Sequence, residues 1–210
     1  MKFRTCQLTI ISVLMMWLSG CALLSNDVTT HPPKIVQKKQ RDSAWQDQQQ
    51  QLMALQKWTM QGTIGVRWKE KAQSASFIWH QNGQSFYLEL YGAFGIGDTV
   101  FKGTPTNVTM IDHHGNKHQA DSLQALMDQQ VGWHLPIEGL IYWGRGLAIP
   151  DVAKSITLNQ YGLLATLRQK GWQIQYQDYQ VYADQWALPT RITLQRNDLT
   201  LTAVIKQWDV

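Results

Sequence analysis

Hydrophobic and polar residues alternate along most of the chain beyond residue 57, a pattern that predicts β-strands. From Trp58 to Trp68 every even position is apolar or glycine, and the alternation resumes through residues 75–80 and 86–90. Further short runs of this kind cover residues 99–102, 107–112, 161–169, 172–176, 191–195 and 199–205. The connections are short, and Asn82-Gly83 is a typical hairpin turn. They leave no room for crossover helices, so the predicted sheet is antiparallel.

Three segments break the alternation and are predicted to be helices. Residues 42–57 can be capped by Asp42 or Ser43. Residues 121–131 place Leu123, Leu126 and Met127 on one face, and residues 136–143 begin with proline. The fold class is therefore α+β, mainly β: one curved antiparallel sheet with helices on one face. Packed tightly, the helical insert only completes a core; packed loosely, it encloses an apolar cavity.

The first twenty residues have the pattern of a secretory leader. Lys2 and Arg4 precede an apolar run over residues 8–18, which is short for a membrane span. The run ends in Leu18-Ser19-Gly20-Cys21, which resembles the bacterial lipobox. An uncleaved anchor is the alternative, because positions 5–26 carry no charge. The predicted division is 1–20 lipoprotein signal peptide, 21–41 lipidated N-terminus and flexible tether, and 42–210 a single domain.

The lipobox implies a covalent lipid anchor at Cys21. In lipoproteins with this motif the cysteine carries S-diacylglycerol and N-acyl groups, and several acyl chains anchor stably. Aspartate after the cysteine is their usual inner-membrane retention signal, and here that position is Ala22. The resemblance thus implies an outer-membrane location, with the domain facing the periplasm.

Composition narrows the function classes further. The chain has ten tryptophans, a density that suits a core, an apolar pocket or a membrane-facing surface. Its formal net charge is +4, without a dense Lys/Arg run, so nucleic acid is not an expected partner. The two cysteines, Cys6 and Cys21, both belong to the N-terminal segment, which leaves the domain without disulfides or cysteine-ligated zinc.

The candidate chemistry is sparse. Asp112, His113, His114 and His118 straddle a Gly115-Asn116 turn, which is interpreted as a solvated hairpin tip rather than a metal site. Glu89 and Glu138 lie in apolar surroundings, but no catalytic constellation emerges, so the chain is predicted not to be an enzyme.

A glycine-rich stretch from Tyr91 to Gly97 precedes a strand rather than a helix, which argues against a phosphate loop. Phe94 and Ile96 stand near its tip. The stretch is either a buried turn or an exposed apolar tip that touches membrane or lipid.

The order of these features resembles the LolB family of outer-membrane lipoprotein receptors. The resemblance rests on the lipobox and on five later segments. They are Trp58-Thr-Met-Gln-Gly62, Ala75-Ser-Phe77-Ile-Trp79-His-Gln81, the glycine loop, Pro136-x-x-x-Leu140-x-x-Trp143 with Gly144-x-Gly146, and Leu188-Pro189 before the final hairpin. One position departs: the family's loop typically reads Pro-Leu-Gly, whereas this chain has Ala93-Phe94-Gly95.

The resemblance implies an unclosed antiparallel β-barrel, in which helices lid an apolar cavity. Such receptors accept acylated lipoproteins from a LolA-like periplasmic carrier and insert them into the phospholipid of the outer membrane without nucleotide hydrolysis. A monomer without cofactors is expected, apart from the acyl groups on Cys21. Phe94, Gly95 and Ile96 would form the membrane-insertion loop. Candidate residues for the acyl-chain cavity are Ile64, Val66, Phe77, Trp79, Leu88, Met110, Leu140 and Ile141.

Two other classes remain as alternatives. A structural outer-membrane lipoprotein would support an envelope assembly through protein contacts, and it would have a packed core with no lipid-accessible cavity. A lipid-modifying enzyme would need a nucleophile or an acid–base pair, which the sequence does not single out.

Overall fold

The computed structural model describes residues 30–93, 97–130 and 137–210. Within these ranges the strands are β1 (Thr30–His31), β2 (Lys57–Trp68), β3 (Lys71–Asn82), β4 (Ser85–Ala93), β5 (Gly97–Thr104), β6 (Asn107–Ile111), β7 (Lys117–Ala120), β8 (Lys154–Leu158), β9 (Leu164–Gln169), β10 (Trp172–Tyr182), β11 (Trp186–Arg196) and β12 (Leu199–Asp209). The helices are α1 (Arg41–Ala54), α2 (Leu123–Gln130) and α3 (Ile137–Trp143), and a 3₁₀ turn (Lys38–Gln40) precedes α1.

All strands join one antiparallel sheet. Its order is β7-β6-β5-β4-β3-β2-β12-β11-β10-β9-β8, and β1 pairs separately with the end of β10. The last strand lies beside β2, so the two ends of the domain meet in the middle of the sheet. In the part of the chain that the structure describes, β7 and β8 are edges and do not pair with each other. The predicted fold class, a mainly β structure with one unclosed curved sheet, is confirmed.

The alternation in the sequence marks the inward face of the sheet. In β2, Trp58, Met60 and Val66 are buried, whereas Lys57 and Arg67 are exposed. Gly62 sits where β12 comes unusually close, because a Cβ at this position would lie 2.1 Å from the carbonyl oxygen of Val204. The register between β2 and β12 shifts just beyond, between Ile205 and Gln207.

The helices differ from the predictions at their ends. α1 starts at Arg41 without a side-chain cap, so the predicted cap at Asp42 or Ser43 is wrong. The Ser43 hydroxyl instead donates to the Gln40 carbonyl (3.0 Å) of the preceding 3₁₀ turn. The cap of α2 is Ser122, whose Oγ accepts the Ala125 N–H (3.1 Å). No described helix is long and apolar enough to cross a bilayer.

Part of the predicted tether lies against the domain. Thr30 and His31 pair with Tyr182 and Val181 of β10, and the Val36 N–H donates to the Gln160 carbonyl (2.9 Å). Backbone pairing of this kind fixes the segment although its composition is that of a linker. Thr30, His31 and Val36, which the sequence assigns to the tether, thus lie against the domain.

Candidate functional site

The concave side of the sheet and the helices α2 and α3 enclose a cavity of about 80 Å³. Five strands and both helices contribute to its wall. The lining residues are Met60, Ile64, Phe77, Trp79, Leu88, Leu90, Leu123, Met127, Leu140, Trp143, Gly144, Ile192, Leu194, Leu201, Ala203 and Ile205.

Every described residue of this wall is apolar or glycine. The indole N–H groups of the two tryptophans are both engaged by side chains that do not line the cavity. Trp79 Nε1 donates to Gln81 Oε1 (2.9 Å), and Trp143 Nε1 donates to Gln169 Oε1 (3.0 Å). The described wall is therefore apolar, which suits an alkyl chain and does not suit a charged or hydrogen-bonding ligand.

The helices cover the sheet through residues at helical spacing. α2 contributes Leu123 and Met127, which are four residues apart and point to the same side. α3 contributes Leu140, Trp143 and the adjoining Gly144 by the same rule. Leu126 is also fully buried, but it packs in the core beside the cavity.

Buried hydrogen bonds fix the C-terminal end of α3 to β9 and β10. Gln169 of β9 holds the Trp143 ring and also binds the backbone of Ile149, accepting its N–H (2.9 Å) and donating to its carbonyl (2.9 Å). The Tyr176 hydroxyl of β10 donates to the Trp143 carbonyl (3.1 Å). Burial raises the pKa of Tyr176, so this hydroxyl keeps its proton.

Arg145 links α3 to α1 from a nearly buried position. Its Nη1 donates to the carbonyls of Leu52 (2.9 Å) and Leu55 (2.8 Å), and its Nε donates to the carbonyl of Ile141 (3.0 Å). These oxygens stand at the C-terminal ends of two helices, where the helix dipole favours a cation. Burial lowers the pKa of Arg145 to about 10, so the guanidinium is charged at neutral pH.

The structure separates the eight predicted cavity residues into two groups. Ile64, Phe77, Trp79, Leu88 and Leu140 line the cavity. Val66 and Met110 point inward but belong to the surrounding core, and Ile141 lies on another side of α3 than Leu140 and Trp143. Ile141 follows Leu140 by one residue, a turn of about 100° around the helix axis, and it does not line the cavity.

Sequence reasoning missed the contribution of the last hairpin. Ile192 and Leu194 of β11 and Leu201, Ala203 and Ile205 of β12 all line the cavity. Their alternation is visible in the sequence, but the pairing of β12 with β2, which brings them to the same cavity, has no local signal.

The other candidate residues lie away from the cavity. Asp112 organises the β6–β7 turn: its Oδ1 accepts the N–H groups of His114 (2.9 Å) and Asn116 (2.8 Å). Hydrogen bonds, chiefly from the Asn116 side chain, lower its pKa to about 2. Among the described residues, no group of three or more His, Cys, Asp or Glu is placed to hold a metal ion.

Glu89 lies on β4 between Tyr87 and Tyr91, whose hydroxyls both donate to its carboxylate. This bond to Glu89 is the main reason why the pKa of Tyr87 is raised. Cys21 and Phe94, Gly95 and Ile96 lie outside the described residues, as does the side chain of Glu138.

Comparison with known sequences identifies a family. The family model "Outer membrane lipoprotein LolB" matches residues 56–208. The protein named outer-membrane lipoprotein LolB of Francisella tularensis subsp. novicida is 37% identical over 207 residues, covering 99% of this chain and 96% of that one. The protein of the same name from Pseudomonas syringae pv. syringae is 34% identical over 191 residues, which are 91% of this chain and 90% of the other.

Solved structures with very different sequences share the fold. A LolA superfamily protein of Nitrosomonas europaea superposes with a TM-score of 0.50 at 6% identity, covering 83% of this chain and 94% of its own. A domain of Vibrio parahaemolyticus described as a putative outer membrane lipoprotein-sorting protein gives a TM-score of 0.51 at 6% identity, over 80% and 90% of the two chains.

Proposed function

Because this chain belongs to the LolB family of outer-membrane lipoproteins, we propose that it is a lipid-anchored receptor in lipoprotein localisation. It stands at the outer membrane and faces the periplasm. It accepts acylated lipoproteins from a LolA-like soluble carrier and passes them to the bilayer. The observation that carries this proposal is the cavity, whose wall is hydrocarbon on every described side.

The apolar wall keeps an accepted acyl chain out of water. Each methylene exposed to water costs about 0.8 kcal/mol, so the chain has to pass directly from one apolar site to another. None of the described lining residues has a polar side chain that could bind a headgroup or perform acid–base chemistry. Transfer then follows the free-energy difference between carrier, receptor and bilayer and needs no nucleotide hydrolysis.

The cavity has to expand for this task. Its volume of about 80 Å³ is well below the roughly 300–1,000 Å³ typical of ligand pockets. The structure therefore corresponds to a closed form. The hydrogen bonds of Trp143 and Arg145 fix the C-terminal end of α3, whereas Leu123 and Met127 of α2 meet the cavity only through apolar contacts. We expect α2 to move outward while the end of α3 stays in place.

The remaining parts of the proposal rest on the sequence. Cys21 carries the S-diacylglycerol and N-acyl groups that hold the protein on the membrane. Phe94, Gly95 and Ile96 form the loop that enters the bilayer when cargo is released. No cofactor is needed, and the receptor works as a monomer.

The decisive experiment is transfer in solution. The carrier is loaded with a radiolabelled lipoprotein and mixed with a chain that begins at residue 21 and carries Cys21→Ala. We expect the label to move to this chain. The alternative of a structural lipoprotein requires a packed interior; label that stays on the carrier, together with no binding of an apolar fluorescent probe, would establish it and refute the receptor.

A further inference from the structure

Cations that are far apart in the sequence lie close together at one end of the strands, where several turns meet. The strand register brings together the β2–β3, β9–β10 and β11–β12 turns and the beginning of β8. We call residues 67–71, 151–154, 168–171 and 196–198 the basic rim. Its cations, all exposed, are Arg67, Lys69, Lys71, Lys154, Arg168, Lys170 and Arg196.

Direct contacts show that the basic rim is continuous. The Lys69 N–H donates to the Asp198 carbonyl (3.4 Å), which joins the first turn to the last. The Arg196 side chain lies beside the β9–β10 turn, because a Cβ on Gly171 would be 3.8 Å from the Nε of Arg196. Lys154, Arg168 and Lys170 line one shallow hollow at the end of β8, β9 and β10.

The charge of the domain is concentrated on this rim. Its seven cations stand with three acids, Glu70, Asp151 and Asp198, so it carries a formal charge of +4. That equals the formal net charge of the entire chain, including the two cations of the leader. The rest of the domain is thus slightly acidic, and the protein has a charge asymmetry that orients it in an electric field.

Two further observations favour a membrane surface as the partner. The Lys69 ammonium lies 5.0 Å from the ring centroid of the half-buried Trp68, and a cation beside an indole is a combination suited to the headgroup region. Strand β4 ends and β5 begins at the same end of the sheet as the basic rim, where Ala93 pairs with Gly97. The loop between them, proposed above to enter the bilayer, is connected to the sheet here.

We infer that the basic rim is a docking surface for the phosphate groups of anionic phospholipids. It turns the domain so that this edge faces the bilayer. The inference rests on the proposed function, because only a protein that works at a membrane benefits from this orientation. Clustered Lys and Arg near an anionic surface bind through their summed charge, and the attraction falls off within a Debye length of about 10 Å at 0.1 M salt.

The test uses the chain from residue 21 with Cys21→Ala, because every described element lies between Thr30 and Asp209. Binding is measured by flotation with phosphatidylcholine vesicles, with and without phosphatidylglycerol, at low and high salt. The rim variant combines Lys71→Glu, Lys154→Glu and Arg196→Glu.

The matched control reverses three exposed lysines near the opposite edge, Lys57→Glu, Lys102→Glu and Lys206→Glu. Both variants have the same net charge, so a general charge effect cancels between them. Glutamine versions of both sets, together with urea unfolding midpoints, separate loss of binding from loss of folding.

We expect salt-sensitive binding to the anionic vesicles alone. The rim variant should lose more than about a hundredfold in affinity, since each cation near an anionic surface contributes about fivefold. The control should bind like the parent chain. Equal losses in both variants, or binding that does not depend on phosphatidylglycerol, overturn the inference.

Cargo transfer from the carrier in the absence of vesicles distinguishes this inference from the proposed function. If the rim variant accepts lipoprotein normally, the receptor proposal stands whatever the vesicles show. If it binds anionic vesicles like the parent but accepts cargo slowly, the rim docks an acidic protein surface and the lipid assignment is wrong. If the unmodified chain accepts no cargo, the receptor proposal itself fails.

Discussion

The interior has two halves that are built on opposite principles. In the packed half, around β9, β10, the end of α3 and Arg145, buried hydrogen bonds tie Gln169 and Tyr176 to Trp143, and side chains such as Leu167 and Ile174 are completely buried. In the cavity half, around β2–β4, β11, β12 and α2, the wall is apolar and leaves space. Directional side-chain bonds thus fix the end of α3 in a single arrangement, whereas α2 meets the cavity through the apolar side chains of Leu123 and Met127, which can rearrange around a ligand.

The largest effect should come from truncating the same side chain in both halves. Leu167→Ala should lower the free energy of unfolding by about 4–5 kcal/mol, and Leu194→Ala by about 2–3 kcal/mol, because a residue beside existing space loses fewer contacts. Urea unfolding measures both. Equal losses would mean that the two halves are packed alike.

Removing the cation of the packed half should have the next largest effect. Arg145→Met leaves the carbonyls of Leu52, Leu55 and Ile141 without their shared donor, at a cost of about 3 kcal/mol in unfolding free energy. The control is Arg191→Met, whose exposed guanidinium lies 3.8 Å from Asp178 and should contribute less than about 0.5 kcal/mol. A stable Arg145→Met protein would contradict the anchoring role assigned to this side chain.

Filling the cavity with a larger side chain tests whether it binds lipid, because ligand binding should change while stability should not fall. Ala203→Leu adds three carbons to the cavity wall, so we expect unfolding free energy to stay level or rise by about 1 kcal/mol. Binding of an apolar fluorescent probe, and acceptance of lipoprotein, should fall severalfold. Ala72→Leu adds the same atoms at an exposed position and should leave both unchanged. Normal probe binding by Ala203→Leu would show that lipid enters elsewhere.

The smallest effect should come from Asp112, whose hydrogen bonds lie at the surface and can be compared with the buried bonds of Trp143 and Arg145. The folded-state pKa of Asp112 is about 2, below its ordinary 3.8, so its carboxylate stabilises the fold fully above about pH 4. This contribution is lost as the pH falls from about 4 to 2. Asp112→Asn should therefore be slightly less stable than the parent at pH 7 and should approach it near pH 2. Unfolding curves of both proteins across that range measure the difference, and a constant gap would rule out the titration of this group.

The sequence predicted local structure better than it predicted the site. Alternation located strands β2 and β3, and helical spacing placed Leu123 and Met127 on one side, because these patterns are local. The sequence did not predict β8, because a short edge strand buries few side chains. Its residues Lys154–Leu158 are mostly exposed. Ile192 and Ala203 reach the cavity only through long-range pairing.

The sequence did not predict the basic rim either, because it too depends on long-range strand pairing. Its cations are spread from Arg67 to Arg196, and only the register of several turns brings them together. Arg145 was missed because nothing in its local sequence indicates that three carbonyls from two helices surround it.

The pairing of Thr30 and His31 with β10 determines how far the domain can depart from its proposed lipid. Counted from Cys21, a tether ending at Arg41 would reach about 65 Å at roughly 3.3 Å per residue, whereas one ending at Thr30 reaches about 30 Å. The N-terminal segment pairs with the sheet at the strand ends opposite the basic rim, because Tyr182 is the last residue of β10 and the rim lies beside its first residue. Because β10 has eleven residues and is about 33 Å long at the same rise, a tether of this length reaches a bilayer at the rim only when it is fully extended and the strands are tilted. In the proposed receptor, these two paired residues would keep the hand-off beside the membrane, where the carrier would deliver its cargo.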